Sequence, residues 1–260
     1  MLRFLTAGSV DDGRSTLIGR LLFESGGVFE DQLNSVRKVS SKGHVQPDLS
    51  LITDGLKTER EQAITIDVAH RYFATPRRKF IIADTPGHEQ YTRNMATAAS
   101  TADLAVLLVD VPKGVLDQTR RHAYIMWLLG IRHIILAVNK MDLVSFRRDA
   151  FESICQDFTR AMPFLDCSVK EFVPLNALEG DNVVSSSRRM PWYEGLSLLR
   201  LLEMITIEDE RNLQDFRFPV QTVIRPNQDF RGYAGQLVSG IVRPNQTEIT
   251  LPSLQLAVVN

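Results

Sequence analysis

The sequence has few cysteines, no long apolar run and almost no net charge. Its two cysteines, Cys155 and Cys167, could pair, but so few thiols in a protein of this size are more often reduced, which favours a cytoplasmic protein. No apolar run approaches the ~20 residues of a membrane-spanning helix, and the first residues become polar too soon for a signal peptide. The formal net charge of −1 favours neither nucleic acid nor a membrane as a bulk electrostatic partner.

The first 210 residues alternate strand-like and helix-like patterns. The apolar runs at 104–109 and 134–138 are continuous, which is typical of strands buried on both faces. The alternation predicts an α/β domain with a mostly parallel sheet covered by helices on both faces. Strands are predicted at 2–7, 66–73, 79–84, 104–109, 134–138 and 172–175, and helices at 15–24, 89–100, 118–129, 146–162 and 196–205.

The pattern changes near Arg211. Short alternating runs broken by proline, asparagine and glycine follow Phe216, and they predict a β-meander or barrel. We therefore predict two domains, a nucleotide-binding domain at 1–210 and the start of a β-barrel at 211–260. About 45 residues of such sequence are thin for an independent β-domain.

A candidate phosphate-binding loop follows the first predicted strand and opens the first helix. Its glycines allow backbone N–H groups to turn toward phosphate oxygens, and the helix N-terminus favours an anion. Ser15 is placed to bind Mg²⁺ and Thr16 to approach the α-phosphate, whereas a plain glycine turn is the alternative. The loop consists of Gly8, Ser9, Val10, Asp11, Asp12, Gly13, Arg14, Ser15 and Thr16.

A second motif, Asp84-Thr-Pro-Gly87-His88, follows the predicted strand 79–84. A carboxylate at a strand end can hold Mg²⁺ through water, so Asp84 is a candidate. The N–H of Gly87 can meet a γ-phosphate, and His88 would then lie beside an attacking water. The alternative is a surface turn in which His88 caps the next helix.

Two further loops are candidates for binding the purine base. In Asn139-Lys140-Met-Asp142, the carboxylate of Asp142 can accept hydrogen bonds from N1–H and the 2-amino group of guanine, a donor pair that adenine lacks. Asn139 can meet O6 or N7, and Lys140 can lie over the ring. The weaker motif, Asn176-Ala177-Leu178, would supply backbone and side-chain donors to O6. An ordinary polar loop is the alternative for each.

Thr65, between Ile64 and Ile66, can bind Mg²⁺ and sense the γ-phosphate, although by itself it is simply a strand residue. All these motifs occur along the chain in the order expected of a guanine-nucleotide-binding fold, each in a loop or at the end of a predicted strand. Together they predict a protein that binds GTP or GDP with Mg²⁺.

Segments of the chain resemble known GTPases. Those around the first loop, Asp84, Lys113 and Asn139 resemble the translation-factor GTPases as a class. Others resemble one branch, the large (GTPase) subunit of bacterial sulfate adenylyltransferase, also called ATP sulfurylase, including nodulation proteins fused to adenylylsulfate kinase. They are Thr65-Ile-Asp-Val-Ala-His-Arg-Tyr-Phe, Lys79-Phe-Ile-Ile-Ala-Asp, Ala177-Leu-Glu-Gly-Asp-Asn, Phe218-Pro-Val-Gln and Asp229-Phe-Arg-Gly-Tyr-Ala-Gly.

The resemblance implies a Ras-like P-loop GTPase domain followed by β-barrel domains. It implies a heterodimer in which a small catalytic subunit makes adenylylsulfate and pyrophosphate from ATP and sulfate, while this chain hydrolyses GTP to drive that reaction. Ser15 and Thr65 would bind Mg²⁺ directly, and Asp84 would contact the ion through its bound water. His88 would orient the attacking water. Catalytic roles thus fall to His88, Thr65 and Arg14.

The chain departs from this family at three positions: Arg14 replaces lysine, Ala63 replaces glycine and Asn176 replaces serine. The guanidinium of Arg14 is wider and more rigid than an ammonium, so we expect impaired phosphate binding, with a bidentate phosphate contact as the alternative. The chain also stops inside the expected first barrel. A translation GTPase and a non-catalytic nucleotide-binding subunit remain open alternatives.

Overall fold

The computed structural model describes residues 1–27, 49, 65, 67–165, 169–207, 214–228, 230–251 and 253–258. Ala63, Cys167 and Asp229 therefore lie outside the described residues, as does Ile66, the first residue of the predicted strand 66–73. The chain divides into two compact units, Met1–Thr206 and Ile207–Asn260. Within the described part of the chain, none of the helices combines the length and apolar character needed to cross a bilayer.

The first unit alternates strands and helices. Its strands are β1 (Leu2–Ala7), β2 (Ala69–Ala74), β3 (Lys79–Asp84), β4 (Leu104–Asp110), β5 (Ile134–Asn139) and β6 (Val169–Pro174). Its α-helices are α1 (Arg14–Glu24), α2 (Thr92–Ala99), α3 (Asp117–Leu128), α4 (Arg148–Ala161) and α5 (Leu198–Met204), with short 3₁₀ turns at Glu89–Tyr91, Met141–Val144 and Pro163–Leu165.

The six strands form one sheet in the order β2-β3-β1-β4-β5-β6. Every neighbouring pair is parallel except β2 and β3, which are antiparallel. The predicted α/β class with a mostly parallel sheet is therefore confirmed. Because the parallel strands share one direction, the loops that follow β1, β3, β4, β5 and β6 meet at the same edge of the sheet.

The central strands form the core. All residues of β4 and β5 are buried, as their continuous apolar sequences predicted. Strand β2 instead has one buried residue, Phe73, and its other residues are exposed or partly buried because the strand lies at the sheet edge. The predicted helix 146–162 begins later, at Arg148, because Ser145 and Phe146 adopt left-handed backbone angles.

The second unit contains two separate two-stranded antiparallel sheets. Strand β7 (Val220–Ile224) pairs with β8 (Gly232–Gly235), and β9 (Thr247–Thr250) pairs with β10 (Gln255–Val258). All residues of β7 are exposed. The predicted β character is present in these hairpins, and their closure into a barrel stays a prediction.

Candidate nucleotide site

The predicted site residues cluster at the carboxyl edge of the parallel sheet. The loop from Gly8 follows β1, Asp84 ends β3, Asn139 ends β5, and Asn176 comes two residues after β6. Residues of α/β proteins at this edge line the crevice in which ligands bind. The topology thus brings together segments that are up to 168 residues apart in sequence (176 − 8).

The loop after β1 is held by bonds within itself. The N–H of Ser9 donates to Oδ2 of Asp12 at 2.6 Å. Gly13 adopts a left-handed conformation with φ of 89°, and a side chain there would collide with the amide nitrogen of Asn139. Only glycine satisfies both conditions, which gives that position a structural reason beyond a flexible turn.

Helix α1 begins directly after this loop. Its first bond within the helix joins the N–H of Leu17 to the carbonyl oxygen of Gly13 at 2.9 Å. The N–H groups of Arg14, Ser15 and Thr16 therefore precede the helical ladder and face the loop region. With the helix dipole, they form a typical anion-binding terminus.

Arg14 is buried rather than directed into solvent, being 9% exposed. Its guanidinium donates a hydrogen bond to the carbonyl oxygen of Thr85, and Gly87 leaves the space that the guanidinium occupies. Burial lowers the pKa of Arg14, while the nearby carboxylates of Asp84, Asp12 and Asp11 favour its charged form. The guanidinium of Arg14 therefore lies inside the protein, against the segment that follows β3.

The segment after β3 carries the second motif. Asp84 is 2% exposed, and its neighbour Thr85 donates its hydroxyl to the carbonyl oxygen of Thr6 at 2.6 Å. His88 is half-buried and has an edge-on contact with Tyr91. His88 precedes the 3₁₀ turn Glu89–Tyr91 without a side-chain capping bond, so the alternative of a capping histidine is not supported.

Asn139 connects the phosphate loop to the last loop of the site. Its Nδ2 donates to the carbonyl oxygen of Asp12 at 2.8 Å. Its Oδ1 accepts from the N–H of Ala177 at 3.0 Å. A single buried side chain thus joins three loops, and it would orient the phosphate and base ends of one ligand relative to each other.

The loop after β6 is organised by Asn176. Its Oδ1 accepts from the N–H of Leu178 at 3.1 Å, an Asx turn, and its Nδ2 donates to Glu179 at 3.3 Å. The side chain that was expected to reach the base therefore shapes the loop in this structure. Ala177 is 1% exposed and Leu178 is 56% exposed.

Charged residues surround the Asn139–Asp142 segment. Lys140, which has a left-handed backbone, places its Nζ 2.8 Å from Oδ2 of Asp110. Lys113 donates to the carbonyl oxygen of Val10 at 3.2 Å and lies 3.8 Å from Asp11. These contacts hold the end of the Lys113 side chain beside the phosphate loop and that of Lys140 at the end of β4. Asp142 is half-buried in the 3₁₀ turn that follows.

Two buried titratable groups adjoin the loop. Burial raises the pKa of Asp12 to about 6, against the opposing effects of the Ser9 N–H and Arg14. Burial lowers the pKa of His122 to about 4, Arg14 and Arg121 lower it further, and the backbone of Gly8 opposes this. His122 on α3 also bonds to Gln118 at 2.9 Å.

The oxygen donors of the site suit Mg²⁺. The hydroxyl of Ser15 lies in the first turn of α1, and the Asp84 carboxylate ends β3. Magnesium commonly uses one or two protein oxygens together with phosphate oxygens and water. The described residues hold no group of three or more His, Cys, Asp and Glu side chains suited to a metal ion. Thr65 is half-buried, and its metal-binding role stays a prediction.

Several residues that this structure places at the site lie outside the predicted motifs. They include Arg20, Asp110, Lys113 and His122, all of which contact a motif loop or its neighbours. Lys113 and His122 lie in one of the stretches that resemble translation factors, so that stretch was the available signal. Arg20 lies in another of these stretches, the one around the first loop, but its partners are 157 and 158 residues away and no motif connects them.

Residues 1–213 match the family model described as the elongation factor Tu GTP binding domain. The chain belongs to this family. Among solved structures, the elongation-factor-like domain is similar to the GTPase-like domain of Saccharomyces cerevisiae Ski7 bound to GTP, with a TM-score of 0.66 and 24% identity over 95% of this chain and 60% of that one. It is also similar to Sup35 complexed with GDP, with a TM-score of 0.58 and 24% identity over 98% and 56%. At this identity, the likeness shows the fold alone.

Curated relatives of this GTP-binding domain are more similar in sequence. Sulfate adenylyltransferase subunit 1 of Photobacterium profundum is 58% identical over 100% of this chain and 56% of its own length. The protein of the same name from Bacteroides thetaiotaomicron is 57% identical over 97% and 53%. The bifunctional enzyme CysN/CysC of Rhodopirellula baltica is 57% identical over 98% and 40%. The chain spans about half the length of the relatives named subunit 1.

Proposed function

We propose that this chain is the GTP-binding and GTP-hydrolysing part of a sulfate adenylyltransferase. The main observation in support is that Asn139 joins the phosphate loop to the Ala177 loop, with hydrogen bonds of 2.8 and 3.0 Å. Such a bridge gives one nucleotide a shared frame for its phosphates and its base. The identity of 57–58% to proteins named sulfate adenylyltransferase subunit 1 directs the proposal to that reaction.

The phosphates would lie against the Gly8–Thr16 loop and the start of α1. Ser15 and Thr65 would hold Mg²⁺, with Asp84 bonded to its water ligands. When bound, the ion neutralises charge on the β- and γ-phosphates. The protein's own contribution is positioning: N–H groups of the loop bind phosphate oxygens, and the N–H of Gly87 approaches the γ-phosphate.

Hydrolysis of GTP requires a water molecule in line with the γ-phosphate. His88 directly follows Gly87 and is half-buried, so its imidazole would hold and orient that water. The guanine base would lie between the Asn139–Asp142 segment and the Asn176–Leu178 loop. Asp142 would accept from N1–H and the 2-amino group, and Lys140 would cover one face of the ring.

The partner in this proposal is a small catalytic subunit that makes adenylylsulfate from ATP and sulfate. GTP hydrolysis by this chain would drive that unfavourable adenylyl transfer. The fold's likeness to translation factors carries no argument for a ribosomal role, because it shows architecture alone. A cytoplasmic location, inferred from cysteine usage, belongs to the same proposal.

The test is GTP hydrolysis by the 260-residue chain alone, with a small subunit of sulfate adenylyltransferase, and with ribosomes. We expect stimulation by the small subunit together with ATP and sulfate, and adenylylsulfate formation that depends on GTP. Stimulation by ribosomes alone would instead support a translation GTPase. Nucleotide binding without hydrolysis under any condition would support a non-catalytic subunit.

A further inference from the structure

Arg20 connects the phosphate-loop helix to the loop that follows β6. It lies on α1, six residues after Arg14 (20 − 14). Its Nε donates to the carbonyl oxygen of Ala177 at 3.2 Å, and its Nη2 donates to the carbonyl oxygen of Leu178. The third nitrogen, Nη1, donates to Glu24 at 3.3 Å. Each of the three nitrogens of one guanidinium thus makes a hydrogen bond.

These bonds complement those made by the two asparagines. The N–H groups of Ala177 and Leu178 are held by Oδ1 of Asn139 and of Asn176, while Arg20 holds the carbonyl oxygens. The peptide group between Ala177 and Leu178 is therefore held on both sides, its carbonyl by Arg20 and its N–H by Asn176. A hydrogen bond accepted by a peptide carbonyl also polarises that peptide group, which strengthens its own N–H as a donor.

The pair formed by Arg20 and Glu24 is itself enclosed by the same loop. Gly180 has φ of 93°, and a side chain there would collide with Oε1 of Glu24 and contact Cδ of Arg20. The side chains of Arg20 and Glu24 are 12% and 26% exposed. An ordinary i,i+4 pair on an exposed helix contributes little, but this pair orients a guanidinium toward two backbone carbonyls.

We propose that Arg20 is a positioning residue for base specificity. It sets the distance between the Ala177–Leu178 backbone and α1, and thereby the position of that backbone relative to the guanine O6. This inference rests on the proposed function. It also assigns a physical connection between the two ends of the nucleotide, since α1 carries the phosphate-binding N–H groups. Arg20 touches no substrate in this account and acts through the loop.

The experiment compares the affinities of Arg20→Met and Arg20→Lys for GDP and ADP. Methionine keeps much of the side-chain length but removes every donor, whereas lysine keeps the charge without the fork. Arg148→Met is the matched control. Arg148 forms an i,i+4 pair with Glu152 at 2.6 Å, but its side chain is 64% exposed.

We expect Arg20→Met to weaken GDP binding about tenfold and to leave ADP binding unchanged, so that discrimination falls by the same factor. Arg20→Lys should lose less, about threefold, because one donor can still reach one carbonyl. The lysine variant also allows the two affinities to be compared if the methionine variant does not fold. Arg148→Met should match the wild type for both nucleotides.

Other outcomes separate the two proposals. Equal weakening of GDP and ADP binding, or unchanged GDP binding in the Arg20 variants of a GDP-selective wild type, would overturn the role of Arg20 and leave the proposed function standing. A wild-type chain that binds GDP and ADP equally would overturn both, because no base discrimination would exist for Arg20 to set.

Discussion

The guanidinium of Arg14 donates a hydrogen bond to the carbonyl oxygen of Thr85, so the phosphate loop is joined directly to the segment that contains Gly87 and His88. The contact is buried, and the absence of a side chain at Gly87 makes room for it. In this arrangement Arg14 interacts with a neighbouring loop. A γ-phosphate would therefore compete with the Thr85 carbonyl for the same guanidinium.

Replacing Arg14 with lysine should improve the chain as a GTPase. A compact ammonium can approach the β- and γ-phosphates without the wide planar head that is held at Thr85. We expect Arg14→Lys to bind GTP about tenfold more tightly, the effect of one charge-assisted hydrogen bond, and to hydrolyse it faster in a single turnover. Equilibrium titration and quenched-flow measurement check both. A lysine variant no better than the original would show that Arg14 already serves the phosphates.

Guanine selectivity should depend on Asp142. Asn at this position cannot accept from both N1–H and the 2-amino group, but it can donate to the 2-oxygen of xanthine. We expect Asp142→Asn to lose about tenfold or more in GDP affinity and to gain affinity for xanthosine diphosphate. Competition binding with GDP and xanthosine diphosphate measures this. Equal affinity of the unmodified chain for GTP and ATP would contradict the assignment.

His88 should affect the chemical step more than nucleotide binding. Its proposed contact is with the attacking water, an interaction made mainly in the transition state. We expect His88→Ala to slow single-turnover GTP hydrolysis by about a hundredfold, within the usual range for a lost acid–base or water-orienting group, with GDP affinity nearly unchanged. His70→Ala, an exposed histidine on β2, is the control. Weak GDP binding with normal turnover in the His88 variant would argue against this role.

Two buried groups should change the free energy of unfolding with pH in opposite directions. The pKa of His122 is lowered from 6.5 to about 4, so the folded state resists its protonation, and its contribution to stability is lost as the pH falls from 6.5 to 4. The pKa of Asp12 is raised from 3.8 to about 6, so its contribution is lost as the pH rises from 3.8 to 6. Each contribution amounts to about 3 kcal/mol.

Substituting these groups one at a time separates the two effects. Relative to the wild type, His122→Gln should become more stable as the pH falls from 7 to 4, and Asp12→Asn should become less stable. Glutamine can still bond to Gln118, and asparagine can still accept from the N–H of Ser9. Urea unfolding at several pH values measures the difference. Parallel pH profiles for all three proteins would show that neither group titrates as its burial requires.

The second unit should bind hydrophobic dye or self-associate. Val220, Val223, Val238, Ile241 and Val242 are each between 43% and 57% exposed. Exposed apolar strands favour association with other chains. We expect dye fluorescence to rise with the isolated chain and to fall in Val223→Lys, whereas Tyr72→Lys, a change at an exposed residue of the first unit, should leave it unchanged. A monodisperse monomer without dye binding would show that the segment is self-sufficient.

The sequence by itself determined the layers of the fold and the order of the motifs. The apolar runs of β4 and β5 predicted buried parallel strands because residues buried on both faces leave no polar alternation. Glycine spacing predicted the phosphate loop, and the bounds of α2 and α4 were predicted only to within a few residues, since helix ends depend on local backbone angles.

Only the tertiary structure decided which side chains meet across the sheet edge. Asn139 bonds to Asp12 and Ala177, and Arg20 reaches Ala177 and Leu178. These partners are between 38 and 158 residues apart in sequence. No local periodicity encodes such contacts, because they arise from the shared direction of strands whose order, β3-β1-β4-β5-β6, differs from their order along the chain. The same reason explains why the position of Arg14 against Thr85 emerged only from the folded chain.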